Sequence, residues 1–288
     1  MHGLKKIVTI QDLSCYGKCA LTIALPVLSA AGVQACPVPT ALLSTHTGGF
    51  GKPAVLDLTG EIDHIAAHWQ SAELYFDTVM TGYLAGQAQI EAVERFFERF
   101  PQSRRIVDPV MGDNGRYYSG FDDRFAQRMA QLCKRADVIL PNLTEAAFLL
   151  GIPCQPQCGA AYAEQLARRL AQELGVRAVV LTGVQSEDGA RLGAGVLEDG
   201  RFTLALAGRV NAVFHGSGDL FAAVFAALVT RGCELQEAAQ LAASFTAACI
   251  AYTAADPGAQ EREGLRFEPL LGRLAQETDA QCGRITAQ

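Results

Sequence analysis

The sequence has no apolar run long enough to form a membrane span. Its longest wholly apolar stretch, Leu220 to Val229, falls well short of the roughly 20 residues that cross a bilayer. The chain passes from Lys5 and Lys6 directly into a short strand-like run, Ile7 to Ile10, without the longer apolar segment of a signal peptide. We therefore expect a cytoplasmic protein.

The sequence also lacks the cysteine spacing of a metal–thiolate site. Nine cysteines are scattered along the chain. The closest pairs, Cys15 with Cys19 and Cys154 with Cys158, do not form a Cys-x-x-Cys motif. An odd number of cysteines without such spacing indicates mostly small buried side chains in a reducing compartment. A metal–thiolate site is therefore disfavoured.

Basic residues do not dominate the chain. The formal net charge is -6 at pH 7, and no basic stripe runs along the sequence. This balance argues against nucleic-acid binding. A local site can still oppose the overall charge and bind an anion.

What the chain has is an alternation of short strand-like runs and longer helix-like runs. With 288 residues and a hydrophobic content of 50%, it can bury a sizeable core. The alternation predicts an α/β fold with a mainly parallel sheet and helices on both faces. We predict one domain over residues 1–288, with a polar tail at 255–288 that carries a short helix near Glu268–Gln276. The predicted strands are Lys6–Ile10, one within Val33–Leu43, Tyr75–Met80, Arg105–Val110, Val138–Leu140 and Ala178–Leu181, followed by a hairpin of Leu192–Leu197 and Arg201–Leu206.

The most informative segment runs from His215 to Phe221, a glycine-flanked turn that opens into an apolar helix. The amides of Gly216, Ser217 and Gly218 can converge on one point, where the helix N-terminus adds partial positive charge and favours a phosphate. Asp219 lies at the same place, and a carboxylate there could take the proton of an attacking alcohol. Taken alone, the segment fits an ordinary capped helix better, because Asp is a favoured N-cap residue.

Polar side chains also follow three predicted strands, at the edge of the sheet where ligands bind in such folds. Asp108 and Asp113 lie at the end of the strand predicted at Arg105–Val110. Asn142 and Glu145 follow the strand at Val138–Leu140, and Thr182 with Gly183 follows the strand at Ala178–Leu181. Each set has an ordinary alternative, as turn formers, as a helix capping box and as a loop respectively. Taken together, these oxygens suit Mg²⁺, and Mg²⁺ with an anion-binding turn and a base describes phosphoryl transfer from a nucleotide.

Two further loops could line a pocket for a small aromatic substrate. His46 lies in a Gly/Thr-rich loop after the strand predicted within Val33–Leu43, and Tyr83 follows the strand at Tyr75–Met80. A structural histidine and a half-buried strand-end tyrosine are the alternatives. Gly17-Lys18 is not a nucleotide-binding P-loop, because the glycine spacing is missing and Cys19 replaces the Ser or Thr.

With these motifs the chain resembles the ribokinase-like kinases and, within them, the pyridoxal (vitamin B6) kinases. Gly-Ser-Gly-Asp219 is similar to the superfamily's Gly-Thr-Gly-Asp signature, and the segments that begin at Asp108 and Asn142 resemble its vitamin-kinase branch. Three segments resemble the pyridoxal kinases in particular, namely Tyr16-Gly17, His46-Thr47 and Thr81-Gly82-Tyr83. The resemblance extends from about Lys6 to Tyr252.

From this resemblance we expect a three-layer α/β/α sandwich with no separate lid domain. The implied activity is ATP-dependent phosphorylation of the 5′-hydroxymethyl group of pyridoxal, pyridoxamine or pyridoxine. ATP and Mg²⁺ are the implied cofactors, with K⁺ as an activating monovalent cation, and a homodimer is the implied assembly. No nucleic-acid or membrane partner is implied. The Gly112–Gly120 segment is expected to form a flap over the phosphates.

The resemblance also implies roles for individual residues. Asp219 would be the base, and the amides of Gly216, Ser217 and Gly218 would stabilise the transferring phosphoryl group. Mg²⁺ would be organised, partly through water, by Asp108, Asn142 and Glu145, of which Asp108 and Asn142 also contact the nucleotide. Two groups complete the predicted site: Asp113, Thr182 and Gly183 near the nucleotide phosphates, and Asp12, Ser14, Tyr16, His46, Thr47 and Tyr83 around the pyridine ring.

Three positions depart from the pyridoxal kinase pattern. Asp12 stands where members often have Ser, Ala20-Leu21 where many have Gly-Asn, and Thr182 where some have Lys. A carboxylate at position 12 would favour a cationic aminomethyl group or a protonated ring nitrogen, and hence good acceptance of pyridoxamine.

Three alternative functions stay open at this point. Hydroxymethylpyrimidine kinases share the segments at Asp108 and at Asn142–Glu145, but they usually have Cys at the position of Asp219. A sugar or nucleoside kinase of the same fold is the second alternative. A catalytically silent ligand-binding protein on this scaffold is the third.

Overall fold

The computed structural model describes residues 3–155 and 159–283, so that Cys158 lies outside the described residues. The strands are β1 (Lys6–Ser14), β2 (Gln34–Leu43), β3 (Val55–Asp57), β4 (Thr78–Thr81), β5 (Arg104–Val107), β6 (Gly112–Asp113), β7 (Arg116–Tyr117), β8 (Val138–Ile139), β9 (Ala178–Gln185), β10 (Arg191–Glu198) and β11 (Arg201–Gly208). Within the described ranges, nine of them form one sheet in the order β11-β10-β9-β8-β5-β4-β1-β2-β3, and β6 pairs with β7.

The central strands of the sheet run parallel. β1 pairs with β2 and β4, and the parallel series continues through β5 and β8 to β9. The margins are antiparallel, because β3 pairs with the end of β2 and the β10–β11 hairpin extends β9. The parallel strands therefore end at one edge of the sheet, which collects the loops that follow them.

Helices cover both faces of this sheet. They are α1 (Ala20–Ala30), α2 (Thr59–Ser71), α3 (Gln87–Arg99), α4 (Asp123–Cys133), α5 (Leu143–Leu149), α6 (Ala160–Leu174), α7 (Ser217–Thr230), α8 (Leu235–Ala254) and α9 (Leu271–Gly283). One apolar cluster, which includes Val224 and Phe245, packs α1, α7, α8 and α9 on one face. A second cluster, which includes Phe96 and Met129, packs α2 to α6 on the other. The expected three-layer sandwich is confirmed.

No helix in the described ranges is both long and apolar enough to cross a bilayer.

The first strand differs from its predicted length in a way that matters for the site. β1 continues beyond Ile10 to Ser14, and its second half buries polar side chains. Gln11, Asp12 and Ser14 are 2%, 5% and 0% exposed. A hydrophobic pattern cannot detect such a strand end, because its buried positions are polar. Polar side chains that are buried but do not pack in the apolar core indicate a functional site.

The C-terminal segment also differs from the prediction. The short helix expected near Glu268–Gln276 is a 3-10 turn at Glu268–Leu270 followed by α9, which continues to Gly283. α9 buries Leu274, Thr278 and Cys282, which lie one turn apart. The predicted length was wrong because Leu274 is the one large aliphatic residue on this face, so the helical pattern is weak.

Candidate active site

One cleft at the carboxyl edge of the parallel strands holds four acidic side chains, those of Asp12, Asp108, Glu145 and Asp219. The charge of Asp219 raises the pKa of both Asp12 and Asp108, so Asp219 lies within electrostatic reach of each of them. Glu145 acts on Asp108 in the same way. The predicted base and predicted magnesium residues are thus brought together from the loop after β5 and from α5 and α7, and β1 adds Asp12, which was predicted to contact the pyridine ring.

α7 begins at a turn that requires glycine. Gly216 has φ +82°, and a Cβ atom there would lie 2.4 Å from both Ile23 Cδ1 and the Lys18 carbonyl oxygen. A Cβ atom on Gly218, in contrast, would meet no described atom within 4 Å, so space is open beside the helix start. Because the first N–H groups of a helix have no partner within it, the amides of Ser217 and Gly218 can bind an anion.

Asp219 lies in the first turn of α7, whose N-cap residue is Gly216, without a side-chain capping bond. The capped-helix interpretation of Asp219 is therefore wrong. Burial raises the pKa of its carboxyl group, while a hydrogen bond from the Ala20 N–H and the nearby His46 oppose the rise. Ala20 is held at φ +45°, which is uncommon for a residue with a Cβ atom. A half-buried carboxylate held in this way is suited to accept the proton of an alcohol.

Asp12 lies where β1 shifts its register against β2, between Gln11 and Leu13. A bulge of this kind redirects side chains. Ser14 Oγ donates a hydrogen bond to Asp12 Oδ2 at 3.0 Å. Burial, and then repulsion by Asp219, raises the pKa of Asp12 to about 6. Two carboxylates that repel each other in one cleft favour a ligand that brings a cationic or hydrogen-bond-donating group between them.

Asn142 and Glu145 form the capping box that their spacing predicts. The Glu145 N–H donates to Asn142 Oδ1 at 2.9 Å, and the Asn142 N–H donates to Glu145 Oε2 at 2.8 Å. Glu145 Oε1 also accepts from the Met111 N–H at 3.1 Å, and Asn142 Nδ2 donates to the Gly112 carbonyl at 2.8 Å. Burial outweighs these bonds and raises the pKa of Glu145 to about 8. The pair ties the loop after β5 to the start of α5.

Asp108 follows β5 and faces Glu145 and Asp219. Burial raises its pKa well above the ordinary value, and both neighbours raise it further. No group of three or more His, Cys, Asp or Glu side chains within the described ranges is arranged to hold a metal ion alone. Crowded carboxylates beside an amide oxygen fit a hard cation that takes its other ligands from water and phosphate, as Mg²⁺ does.

Thr182 and Gly183 lie next to Asn142. Asn142 and Thr182 form a parallel bridge that continues the pairing of β8 with β9. The Thr182 N–H donates to the Pro141 carbonyl at 2.9 Å, and Gly183 has φ +85°. These residues therefore border the same part of the cleft as the predicted magnesium residues.

The Gly112–Gly120 segment contains the hairpin of β6 and β7, two strands that are too short for a sequence pattern to reveal. Its turn residues, Asn114 and Gly115, have φ +51° and +73°, which is typical of a two-residue hairpin loop. The Gly115 N–H donates to Thr144 Oγ1 at 2.9 Å and so ties the turn to α5. Asp113 lies exposed on this hairpin, and its charge raises the pKa of Glu145, so it is within electrostatic reach of the cleft.

His46 is buried, and the protein uses both of its ring nitrogens. Nε2 lies 2.8 Å from the Arg262 carbonyl, and Nδ1 accepts from the Gly48 N–H at 3.0 Å. Nε2 therefore carries the proton, because a carbonyl can only accept. His46 orders its own loop, and a contact with a pyridine ring would use the face of the imidazole.

The other residues predicted around the pyridine ring differ in exposure. Tyr83 is half-buried, and burial together with Asp12 raises its pKa. Tyr16 is 56% exposed and meets Phe50 edge-on, with ring centroids 5.5 Å apart. Thr47 is exposed on the loop that His46 orders. Tyr83 and Asp12 thus lie inside the cleft, whereas Tyr16 and Thr47 lie at its rim.

Sequence reasoning missed three residues that border this cleft. The His215 ring lies 4.9 Å from the His46 ring, and its place directly before Gly216 was a usable signal. Tyr118 follows β7, and burial together with Glu145 raises its pKa, which places it over the acidic cleft. Arg262 supplies the carbonyl that binds His46, and nothing in its local sequence indicates this contact.

A carboxyl group of raised pKa in the first turn of a glycine-initiated helix, at the carboxyl edge of a parallel sheet, is an arrangement that fits a small-molecule kinase of the ribokinase-like fold. Comparison with known proteins is more specific. The phosphomethylpyrimidine kinase family model matches residues 24–263, and the chain belongs to this family.

Relatives within and around this family are similar to almost the whole chain. The crystal structure of pyridoxal kinase from Lactobacillus plantarum has a TM-score of 0.88 and 36% identity, covering 96% of this chain and 99% of that one. A protein assigned as a phosphomethylpyrimidine kinase from Bacteroides thetaiotaomicron VPI-5482, in a crystal form with pyridoxal, has a TM-score of 0.87 and 35% identity, covering 94% and 96%. The hydroxymethylpyrimidine/phosphomethylpyrimidine kinase of Bacillus subtilis (strain 168) is 29% identical over 250 residues, which are 86% of this chain and 83% of that protein.

Proposed function

We propose that this protein is an ATP-dependent vitamin B6 kinase. It transfers the γ-phosphoryl group of ATP to the 5′-hydroxymethyl group of pyridoxal, pyridoxamine or pyridoxine, in the salvage of pyridoxal 5′-phosphate. The observation that carries this proposal is Asp219, a half-buried residue whose carboxyl group has a raised pKa and lies beside the open amides of a helix start. Similarity to the Lactobacillus plantarum pyridoxal kinase over nearly its full length supports a B6 vitamer as the acceptor.

In the proposed reaction, the vitamer lies between Asp12 and Tyr83 with its hydroxymethyl group at Asp219. Asp219 takes the hydroxyl proton as the oxygen attacks the γ-phosphorus. The amides of Ser217 and Gly218 stabilise the negative charge on the transferring phosphoryl group, and they need no reorganisation because the helix already orients them. The raised pKa of Asp219 makes it a stronger proton acceptor than an exposed carboxylate.

The nucleotide side of the cleft is assigned to Asp108, Asn142 and Thr182. Mg²⁺, held by Asp108, Asn142 and Glu145 partly through water, would neutralise phosphate charge there. The acidic donor set of this cleft supports that choice of ion. K⁺ is included in the proposal as an activating cation, and omission of each ion from the assay tests its requirement.

The proposal includes a homodimer in the cytoplasm. The edge strand β3 exposes apolar side chains, with Val55 at 61% and Leu56 at 57%, and an exposed apolar edge strand favours association. Sedimentation velocity tests the assembly. The described cysteines are all free thiols, as is usual in a reducing compartment.

One assay tests the function. Purified protein is incubated with MgATP and, separately, with each B6 vitamer and with hydroxymethylpyrimidine, and ADP release is followed. We expect kcat/KM to be highest for a B6 vitamer, with Asp219→Asn as the inactive control. Faster turnover of hydroxymethylpyrimidine would favour the main alternative, which the 29% identity to the Bacillus subtilis enzyme supports. If the protein is folded but no acceptor supports ADP release, the remaining alternatives are a silent binding protein and a kinase for another alcohol.

A further inference from the structure

Two buried thiols lie side by side on the face of the sheet that α7, α8 and α9 cover. Cys233 lies in the turn between α7 and α8, and Cys282 lies in the last turn of α9. Their sulfur atoms are 3.0 Å apart, and the residues are 3% and 8% exposed. Cys249, a buried thiol of α8, has no such sulfur neighbour among the described residues. The proximity of Cys233 and Cys282 is therefore a specific feature of this corner of the fold.

This corner is where α9 is attached to the rest of the molecule. Arg231, at the end of α7, donates to the Ala31 carbonyl of the turn after α1 at 2.9 Å and to Asp279 of α9 at 2.9 Å. The thiol pair is separate from the cleft, because Asp219 lies at the other end of α7. The 14 residues of α7 correspond to a helix about 20 Å long.

We propose that Cys233 and Cys282 are a redox modification site, at which a reversible disulfide fastens α9 to the turn between α7 and α8. With hydrogen peroxide as the oxidant, the Cys282 sulfur attacks one peroxide oxygen, becomes a sulfenic acid and releases water. The Cys233 sulfur then attacks the Cys282 sulfur and releases a second water. The two thiols together lose two electrons and two protons, and the peroxide is reduced to two waters.

The order of these two steps follows from access. Cys282 lies one residue before the end of α9, and helix ends open more readily than helix interiors. Burial and the neighbouring thiol raise the pKa of Cys233, which disfavours its thiolate. A dithiol reductant reverses the bond by thiol–disulfide exchange.

The disulfide would close a loop that contains α8 and the segment leading to α9. This segment supports the cleft loops, because Glu268 pairs with Lys18 at 2.8 Å and the Arg262 carbonyl binds His46. Closing such a loop lowers the entropy of the unfolded chain more than that of the folded protein. We therefore expect the oxidised protein to unfold at a temperature higher by roughly 5 °C.

Peptide mapping tests the bond directly. The full-length protein is reduced, freed of reductant, treated with hydrogen peroxide, alkylated and digested with trypsin. The expected product joins the peptide that contains Cys233 to the peptide that contains Cys282, with the loss of two hydrogen atoms. Because Cys233 and Cys249 share one tryptic peptide, Cys249→Ser is the matched control and must retain the product. Cys233→Ser and Cys282→Ser must each abolish it.

Thermal unfolding gives a second measurement that does not depend on activity. Activity is an unsuitable readout, because Cys15 and Cys19 border the cleft and their oxidation would also change it. Oxidised wild type and Cys249→Ser should both gain stability, and a dithiol should remove the gain. Peroxide could instead oxidise only the exposed thiols of the wild-type protein, which would then no longer react with the alkylating reagent. If this is the result and no joined peptide forms, the proposal is overturned. A joined peptide that persists in Cys233→Ser would overturn it equally, since the partner would then be another cysteine.

Discussion

Replacing Asp12 by Asn is expected to stabilise the protein at neutral pH. Asp12 is 5% exposed, and burial together with the charge of Asp219 raises its pKa from 3.8 to about 6. Because the pKa is higher in the folded state, the folded protein binds the proton more tightly than the unfolded chain. Stability is therefore lost as the pH rises from 3.8 through about 6. Asn keeps the shape of the side chain and cannot ionise.

The size of this effect follows from the shift. Two pKa units correspond to about 3 kcal/mol, which is fully expressed above the folded-state pKa, for example at pH 7.5. At pH 5 most of the folded protein carries the proton, and the advantage of Asn falls to about half. For a chain of this length, about 3 kcal/mol corresponds to a rise in Tm of roughly 5 °C.

Thermal unfolding of wild type and Asp12→Asn at pH 7.5 and pH 5, followed by circular dichroism, measures both values. Asp219→Asn supplies the control background, because removal of that charge lowers the pKa of Asp12. The gain from Asp12→Asn should then be smaller than in wild type. An equal gain at both pH values, or a loss of stability at pH 7.5, would refute the reasoning.

Five further substitutions, one of them a matched control, test other parts of the cleft. Asp12→Ser should lower the ratio of kcat/KM for pyridoxamine over pyridoxal about tenfold, the value of one charge-assisted hydrogen bond, and an unchanged ratio would contradict a role in vitamer choice. Asp219→Ala should lower kcat at least about a hundredfold while circular dichroism stays unchanged, and near-wild-type turnover would exclude it as the base. Gly216→Ala should lose more than about 2 kcal/mol of stability through its clash and its positive φ, whereas Gly218→Ala should keep a near-native Tm, so equal losses would disprove the turn argument. Thr144→Val removes the anchor of the β6–β7 turn and should raise KM for ATP about fivefold, while an unchanged KM would argue against that hairpin as a phosphate flap.

The parts of the molecule that local rules describe could be predicted from the sequence. The capping box of Asn142 and Glu145 needs a spacing of three residues, and the helix after Gly216 follows from a glycine turn and an apolar run. The parallel sheet follows from the alternation of strands and helices. Each of these features depends on neighbours along the chain.

The contacts that shape the cleft depend on distant partners, and the sequence does not reveal them. The bond between His46 and the Arg262 carbonyl joins residues 216 positions apart. The buried second half of β1 depends on polar side chains, which follow no hydrophobic period. Asp219 shows most clearly what local sequence cannot predict. The residue type favours a helix cap at this position, but Gly216 occupies the N-cap position in the fold.

The acidic cleft also shows how the fold supports chemistry at the expense of stability. Asp219 repels both Asp12 and Asp108, and desolvation raises the pKa of all three carboxyl groups. A core selected for stability alone would replace such a group by apolar side chains, because a buried charge without a partner is costly. Glu145 has a structural role as well, since it accepts hydrogen bonds from two backbone N–H groups. The other three are best explained by ligands that bring positive charge or donate a proton, and these are the properties of a metal–nucleotide complex and an alcohol.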